Sequence, residues 1–329
     1  MKKRILSGMR PTGRLHLGHY WGVLQNWVAL QDEYDCFFMV ADWHALTSEW
    51  QNPQAIPKNI REIAADWIAA GIDPEKSCVF VQSDVPEHAE LHLILSCYTP
   101  LGWLERVPTY KEAQQQLAEK GVDNYAFLGY PVLQAADILL YKGNVVPVGE
   151  DQLPHLELTR EIARRFNGRI GKHLFPEPAA KLTSTPRLMG LDNRRMSKSF
   201  GNAIDLSEDL ASVEKKVKGM FTDPNRKKRT DPGDPAICNV FAFHGMLNTK
   251  ERHEKIQADC KSAAIGCVEC KAELAGKMVD WLRPLHERRK ALLAEPGKLD
   301  EILARGTEKA RLIARQTMKE VREAVFGSR

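Results

Sequence analysis

Two short segments carry the residue types best suited to chemistry. Near the start stands Pro11-Thr12-Gly13-Arg14-Leu15-His16-Leu17-Gly18-His19, after a strand signal at Ile5-Leu6-Ser7-Gly8 and at the head of a helical pattern from Leu17 to Leu30. A helix N-terminus presents unpaired N–H groups and a positive dipole end, so it attracts phosphate. Gly18 has no side chain, which lets a flat adenine or ribose approach the backbone. His16 and His19 are three apart and share one helical face, where both can donate to phosphate oxygens as charge develops. About 180 residues later comes Arg194-Arg195-Met196-Ser197-Lys198-Ser199, with Gly190, Gly201 and Asn202 nearby. Such a loop could close over a triphosphate and stabilise a leaving pyrophosphate. Neither G-x-x-x-x-G-K-[ST] nor a G-x-G-x-x-G after the first strand is present.

Two further features stand out. Asp137 sits inside the apolar helical run from Val132 to Tyr141. A buried carboxylate there needs a partner. An Arg, a backbone N–H or a ligand donor would serve, and the indole N–H is donor-only. Four of the seven cysteines, Cys238, Cys260, Cys267 and Cys270, follow the spacing C-x21-C-x6-C-x2-C. Three thiols within eleven residues, ending in C-x-x-C, read as a metal site in a reducing compartment. Four thiolates suit tetrahedral zinc and equally suit a [4Fe–4S] cluster. Cys36, Cys78 and Cys97 lie in apolar segments and read as core.

The elements that must hold these residues alternate in the first half. Strand signals at Cys36 to Ala41, Cys78 to Gln82 and Asn144 to Val148 are separated by helical patterns around Ile60 to Ile68, Val132 to Tyr141 and Leu153 to Phe166. Strands separated by helices imply βαβ units, a parallel sheet and an α/β fold. After about residue 203 the strand signals end, and Leu206 to Gly219, Leu274 to Ala294 and Ile302 to Val325 are helical in period. A basic loop, Asn225-Arg226-Lys227-Lys228-Arg229, lies between them. The reading is therefore a catalytic domain at 1–202 and a smaller all-helical domain at 203–329, with the last helix able to pack back on the first. The 329 residues carry 47 basic and 43 acidic groups, a net charge of +4, which permits a polyanionic partner without demanding one. With 43% hydrophobic and 27% charged residues, the chain reads as globular, not disordered or rod-like. No apolar run approaches the roughly 20 residues of a membrane span, and no apolar region follows Met1-Lys2-Lys3-Arg4, so a cytoplasmic location is expected.

His16-Leu17-Gly18-His19 resembles the HIGH motif of class I aminoacyl-tRNA synthetases. Met196-Ser197-Lys198-Ser199 is similar to their KMSKS loop, with Arg195 where the family usually has Lys. Gly129-Tyr130-Pro131-Val132-Leu133-Gln134-Ala135-Ala136-Asp137 resembles the amino-acid pocket of the bacterial tryptophanyl-tRNA synthetases. The similarity continues at Ser7 to Gly13, Asp42 to Thr47 and Val146 to Arg160. The resemblance implies a Rossmann-like catalytic domain and an anticodon-binding helical domain. It implies activation of L-tryptophan by Mg2+-ATP, then transfer to tRNA(Trp), by a homodimer.

Carried over by position, Asp137 would accept the indole N–H. Tyr130 and Gln152 would hold the α-ammonium. Leu6, Gly8, His44, Gln134 and Val148 would line the ring, with Gln134 replacing a methionine of some members. Arg10, Pro11, Thr12, Gly18, His19, Gly149, Glu150, Asp151, Leu188, Met196, Ser197 and Ser199 would surround ATP. His16, His19, Lys111, Arg195 and Lys198 would serve the phosphates in catalysis. A subset of the family holds a [4Fe–4S] cluster on similarly spaced cysteines, which favours the cluster over zinc here and implies a brace near the anticodon. Two rivals remain: the related tyrosyl-tRNA synthetases, and a non-catalytic RNA-binding relative, against which the intact Arg195–Ser199 segment argues.

Overall fold

A computed structural model describes residues 2–107, 124–182, 188–197 and 200–327. The chain forms two compact units: residues 1–13, 25–185 and 295–329 in one, and 14–24 and 186–294 in the other.

The first unit is built on a five-stranded sheet in the order β3-β2-β1-β4-β5. The strands are β1 (Arg4–Met9), β2 (Asp35–Val40), β3 (Cys78–Val81), β4 (Val145–Val148) and β5 (Ala179–Leu182), all paired in parallel. Ile5 sits opposite Cys36 on one side and Val145 on the other. β2 and β3 are near-continuous apolar runs, as strands covered on both faces must be. β5 carries no such run and is largely exposed, so it leaves no strand signal in the sequence.

Helices Ile56–Ala70, Glu87–Tyr98, Tyr125–Leu140, Leu153–Ile170 and Lys298–Phe326 belong to this unit. Tyr125–Leu140 starts seven residues before the apolar pattern suggests. Its cap is Asn124, whose side chain accepts from the Phe127 N–H at 2.9 Å, and Pro131 lies inside it. Ala310, Ala314, Met318 and Val321 of the Lys298–Phe326 helix share one core with Leu6, Phe37, Met39, Phe80 and Val148. Cys36 and Cys78 are buried as expected, but Cys97 is exposed. On its helix Leu91, Ile94 and Leu95 point inward, which leaves the 93/97 stripe outside.

The second unit is helical, with Leu210–Lys218, Asn239–Leu247, Lys250–Lys261 and Cys267–Ala294. Residues 14–24 join it through rings: Trp21 stacks on Trp281 at 4.9 Å, and Tyr20 meets Trp281 edge-on at 4.7 Å. The helix expected from Leu17 to Leu30 is α-helical at Leu17–His19 and Gln25–Leu30, but π-helical at Tyr20–Leu24. Among the described residues no helix is long and apolar enough to cross a membrane.

Candidate active site

Strand order reverses at β1 and β4, and open α/β sheets hold ligands at the carboxyl ends of the strands beside such a switch. Gly8 and Met9 end β1, while Val148 ends β4 and leads into Gly149 and the Glu150–Gln152 turn. A Cβ on Gly8 would stand 2.6 Å from the Met39 carbonyl oxygen, so β1 and β2 tolerate no side chain there. Leu6 and Val148 lie in one buried cluster. Tyr130, Gln134 and Asp137 follow each other at spacings of four and three on one helix face.

Asp137 is 2% exposed and takes three side-chain donors. His44 Nε2 lies 2.7 Å from Oδ2, and Gln82 Nε2 donates to Oδ1 at 2.8 Å. His88 Nδ1 lies 2.6 Å from Oδ1, and its Nε2 is 2.8 Å from the Tyr141 hydroxyl. Burial pushes the carboxyl up, but the hydrogen bonds from His44 and His88 outweigh it and hold it at about 2. Among the described residues its partners are thus neither an Arg nor a backbone N–H. An ionised carboxylate offers about four acceptor positions. Among the described residues the three donors take two positions on Oδ1 and one on Oδ2, which leaves one on Oδ2.

Tyr130 OH lies 3.2 Å from His155 Nε2, one turn beyond Gln152. Burial holds His155 below the usual imidazole range. Gln152 Nε2 donates to Asp151 Oδ2 at 2.9 Å. The Arg10 guanidinium is exposed, 3.4 Å from Ser48 Oγ, and Thr12 is exposed beside the buried Pro11.

In the second unit the two sequence motifs meet. Leu17 N–H donates to the Ile204 carbonyl at 3.0 Å, Leu206 N–H donates to the Leu15 carbonyl at 2.8 Å, and His16 bridges Asp205 antiparallel. His16 caps the helix: its Nδ1 accepts from Gly18 N–H at 3.1 Å, while His19 Nδ1 accepts from His16 N–H at 3.1 Å. A Cβ on Gly18 would stand 2.9 Å from the His16 ring and 3.7 Å from Met196 Sδ.

The segment around Arg195 is organised by Asn202. Its Nδ2 donates to Asp192 Oδ1 at 2.7 Å and to the Arg195 carbonyl at 3.1 Å, and its Oδ1 accepts from Ser197 N–H at 2.8 Å. The Asn202 hydrogen bond, with help from Arg194, holds Asp192 at about 2. Arg195 is exposed and pairs with Met189 in an antiparallel bridge, one residue past Leu188. Lys111, Lys198 and Ser199 lie outside the described residues. Gln82, His88 and Tyr141 around Asp137 are not singled out from the sequence, and Asn202 is noted there only as a neighbour of the Arg194–Ser199 segment.

The four late cysteines share one neighbourhood of the helical unit. Burial raises Cys270 to about 12, helped by the charges of Cys238, Cys260 and Cys267. Burial also raises Cys238 and Cys260, and the Arg226 guanidinium pulls Cys260 back. Arg226 Nη1 lies 3.9 Å from Cys260 Sγ and 3.8 Å from Cys267 Sγ. Clustered thiols of this kind ionise together only beside positive charge, and Arg226 is the cation set against Cys260 and Cys267. Among the described residues no group of three or more His, Cys, Asp or Glu is drawn into a geometry that could hold a metal ion. Arg226 and Arg229 of the basic loop are tied inward, to the carbonyls of Ile265, Ala263 and Ala264.

Residues 1–283 match the family model of class I tRNA synthetases (W and Y). The chain is 49% identical to the tryptophan–tRNA ligase of Thermotoga maritima, with 98% of each chain covered. It is 45% identical to that of Ralstonia nicotianae, again with 98% of each covered. The tryptophanyl-tRNA synthetase of Campylobacter jejuni, solved with ADP and tryptophan, superposes at a TM-score of 0.89 with 34% identity, covering 98% of this chain and 99% of that one. The buried carboxylate of the first unit and the joined His16 and Met196 segments of the second therefore belong to a class I tRNA synthetase, and within that family the chain is a member of the tryptophanyl-tRNA synthetases.

Proposed function

We propose that this chain activates L-tryptophan with ATP and transfers it to tRNA(Trp). The observation that carries the choice of amino acid is Asp137: a buried, ionised carboxylate with one acceptor position left suits the donor-only indole N–H. Leu6, Gly8, His44, Gln134 and Val148 line the ring, and Tyr130 and Gln152 hold the α-ammonium.

ATP enters as its Mg2+ complex, against Arg10, Pro11, Thr12, Gly18, His19, Gly149, Glu150, Asp151 and Leu188. A carboxylate oxygen of tryptophan attacks the α-phosphorus. The new O–P bond forms as the bond to pyrophosphate breaks, and pyrophosphate leaves. Because Nδ1 of both His16 and His19 accepts a backbone N–H, the ring proton sits on Nε2, where it can be donated to a phosphate oxygen. By the family resemblance, Arg195, Met196, Ser197, Lys198, Ser199 and Lys111 would serve the departing phosphates. The terminal hydroxyl of the tRNA then attacks the carbonyl carbon of the adenylate, and AMP leaves. No protein nucleophile is required, so positioning and charge stabilisation carry the rate.

Cys238, Cys260, Cys267 and Cys270 would hold a [4Fe–4S] cluster or, as the alternative, zinc. When bound there, the group would brace the helical unit, which takes the anticodon end of the tRNA. The working form is a cytoplasmic homodimer. ATP–pyrophosphate exchange, run with each amino acid in turn and followed by tRNA charging, tests the reading. Exchange with tryptophan alone is expected, and exchange with tyrosine instead would overturn it.

A further inference from the structure

Behind Asp137 lies a second layer that the reaction does not touch. His88 and Tyr141 are both fully buried. A carboxylate only accepts, so His88 Nδ1, 2.6 Å from Asp137 Oδ1, must carry the proton. In the neutral ring Nε2 then accepts from the Tyr141 hydroxyl at 2.8 Å. Tyr141 is itself held, stacked on Phe37 with ring centroids 5.1 Å apart. The result is a directed chain: Tyr141 O–H to His88 Nε2, and His88 Nδ1–H to Asp137 Oδ1. With Gln82 on the same oxygen, Oδ1 is saturated and only Oδ2 can accept a further donor.

We propose that His88, fixed by Tyr141, is a specificity-positioning residue: it occupies Oδ1 so that the single remaining acceptor position, on Oδ2, reads the indole N–H of tryptophan. The inference rests on the assignment of Asp137 as the indole acceptor and extends it inward by two residues. Without the Nδ1–H donor, the carboxylate can rotate or take a water on Oδ1. The N–H of the substrate then counts for less. A residue that merely filled space would weaken tryptophan and an N–H-free analogue alike.

The test uses the full chain in ATP–pyrophosphate exchange with L-tryptophan and with 3-benzothienyl-alanine, in which sulfur replaces the indole N–H. The unaltered chain is expected to favour tryptophan by about a hundredfold or more in kcat/KM. His88→Leu is expected to cut that preference about tenfold, chiefly through the KM for tryptophan, with the KM for ATP within about twofold. His88→Asn places an amide donor near the Nδ1 position and is expected to keep the preference within about threefold. An unchanged preference in folded His88→Leu overturns the inference. If that variant does not fold, Tyr141→Phe decides. It removes one hydroxyl and keeps the ring, so a fall of about threefold supports the inference and an unchanged preference overturns it. Loss of the tryptophan signal in the unaltered chain would remove the activity reading itself. Equal use of both substrates by the unaltered chain would remove Asp137 as the acceptor, and the inference with it.

Discussion

His16 and His19 cap the same helical turn from opposite ends, each accepting a backbone N–H through Nδ1 at 3.1 Å. Serine or threonine with glutamate usually fills these two places. Imidazoles do the same capping through Nδ1 and carry their proton on Nε2. Removing either ring should therefore have two separable effects. His16→Ala is expected to cost about 1 kcal/mol of stability through the lost cap. It should also lower kcat for exchange by about 10²–10³-fold through the lost donor. Denaturant melts and exchange kinetics on one preparation check both. A loss of stability with unchanged kcat would limit His16 to capping.

Asp137 makes an acid-sensitive contribution to folding. Its carboxyl is held at about 2, below the unfolded value of about 4. Stability from this group is present above pH 4 and is lost as pH falls toward 2, on the order of 2 kcal/mol in all. Asp137→Asn should flatten that part of the pH–stability curve and lower kcat/KM for tryptophan by about a hundredfold. Urea midpoints between pH 2 and 5 check the first, and exchange kinetics the second.

Asn202 spans Asp192, the Arg195 carbonyl and the Ser197 N–H. Asn202→Ala should let this segment drift and lower kcat for exchange about tenfold or more, while the KM for tryptophan stays within about twofold. A parallel rise in both Michaelis constants would instead indicate general loosening.

The carbonyl of Val79 occupies the place where a Cβ on Gly306 would stand. Gly306→Ala must push the Lys298–Phe326 helix off β3, and Cys78 Sγ lies 3.0 Å from the Gly306 carbonyl at the same contact. A loss of about 1–3 kcal/mol is expected, read as a lowered denaturation midpoint.

The cysteine neighbourhood is tested by composition. Protein purified without oxygen should carry about four irons and four acid-labile sulfides per chain. A Cys267→Ser, Cys270→Ser double variant should lose both, and with them thermal stability and tRNA charging. About one zinc and no sulfide would make the site a structural zinc centre.

What could be read from the sequence depended on how locally each feature was encoded. β2 and β3 declare themselves because both faces are buried; β5 is an exposed edge and leaves no alternation. Pro131 hid the first half of the Tyr125–Leu140 helix, since a proline there usually marks a boundary. Asp137 was legible as a lone charge in an apolar run. Its donors were not, because His44, Gln82 and His88 arrive from three other segments that only the sheet brings together. Asn202 and Gly306 are ordinary residues whose importance lies wholly in what stands opposite them. Cys97 misled because an apolar helix has an outer face too.

The Lys298–Phe326 helix completes the core that β1 to β4 begin. Nearly three hundred residues separate the first strand from this last piece, and a whole helical unit is threaded between. During synthesis the sheet must therefore wait, its apolar face uncovered, while the intervening unit is made and folds. Such a chain depends on chaperone protection more than one whose core closes early. A translation error or nick that costs the last thirty residues would leave the binding residues intact in sequence and the unit that carries them unable to close.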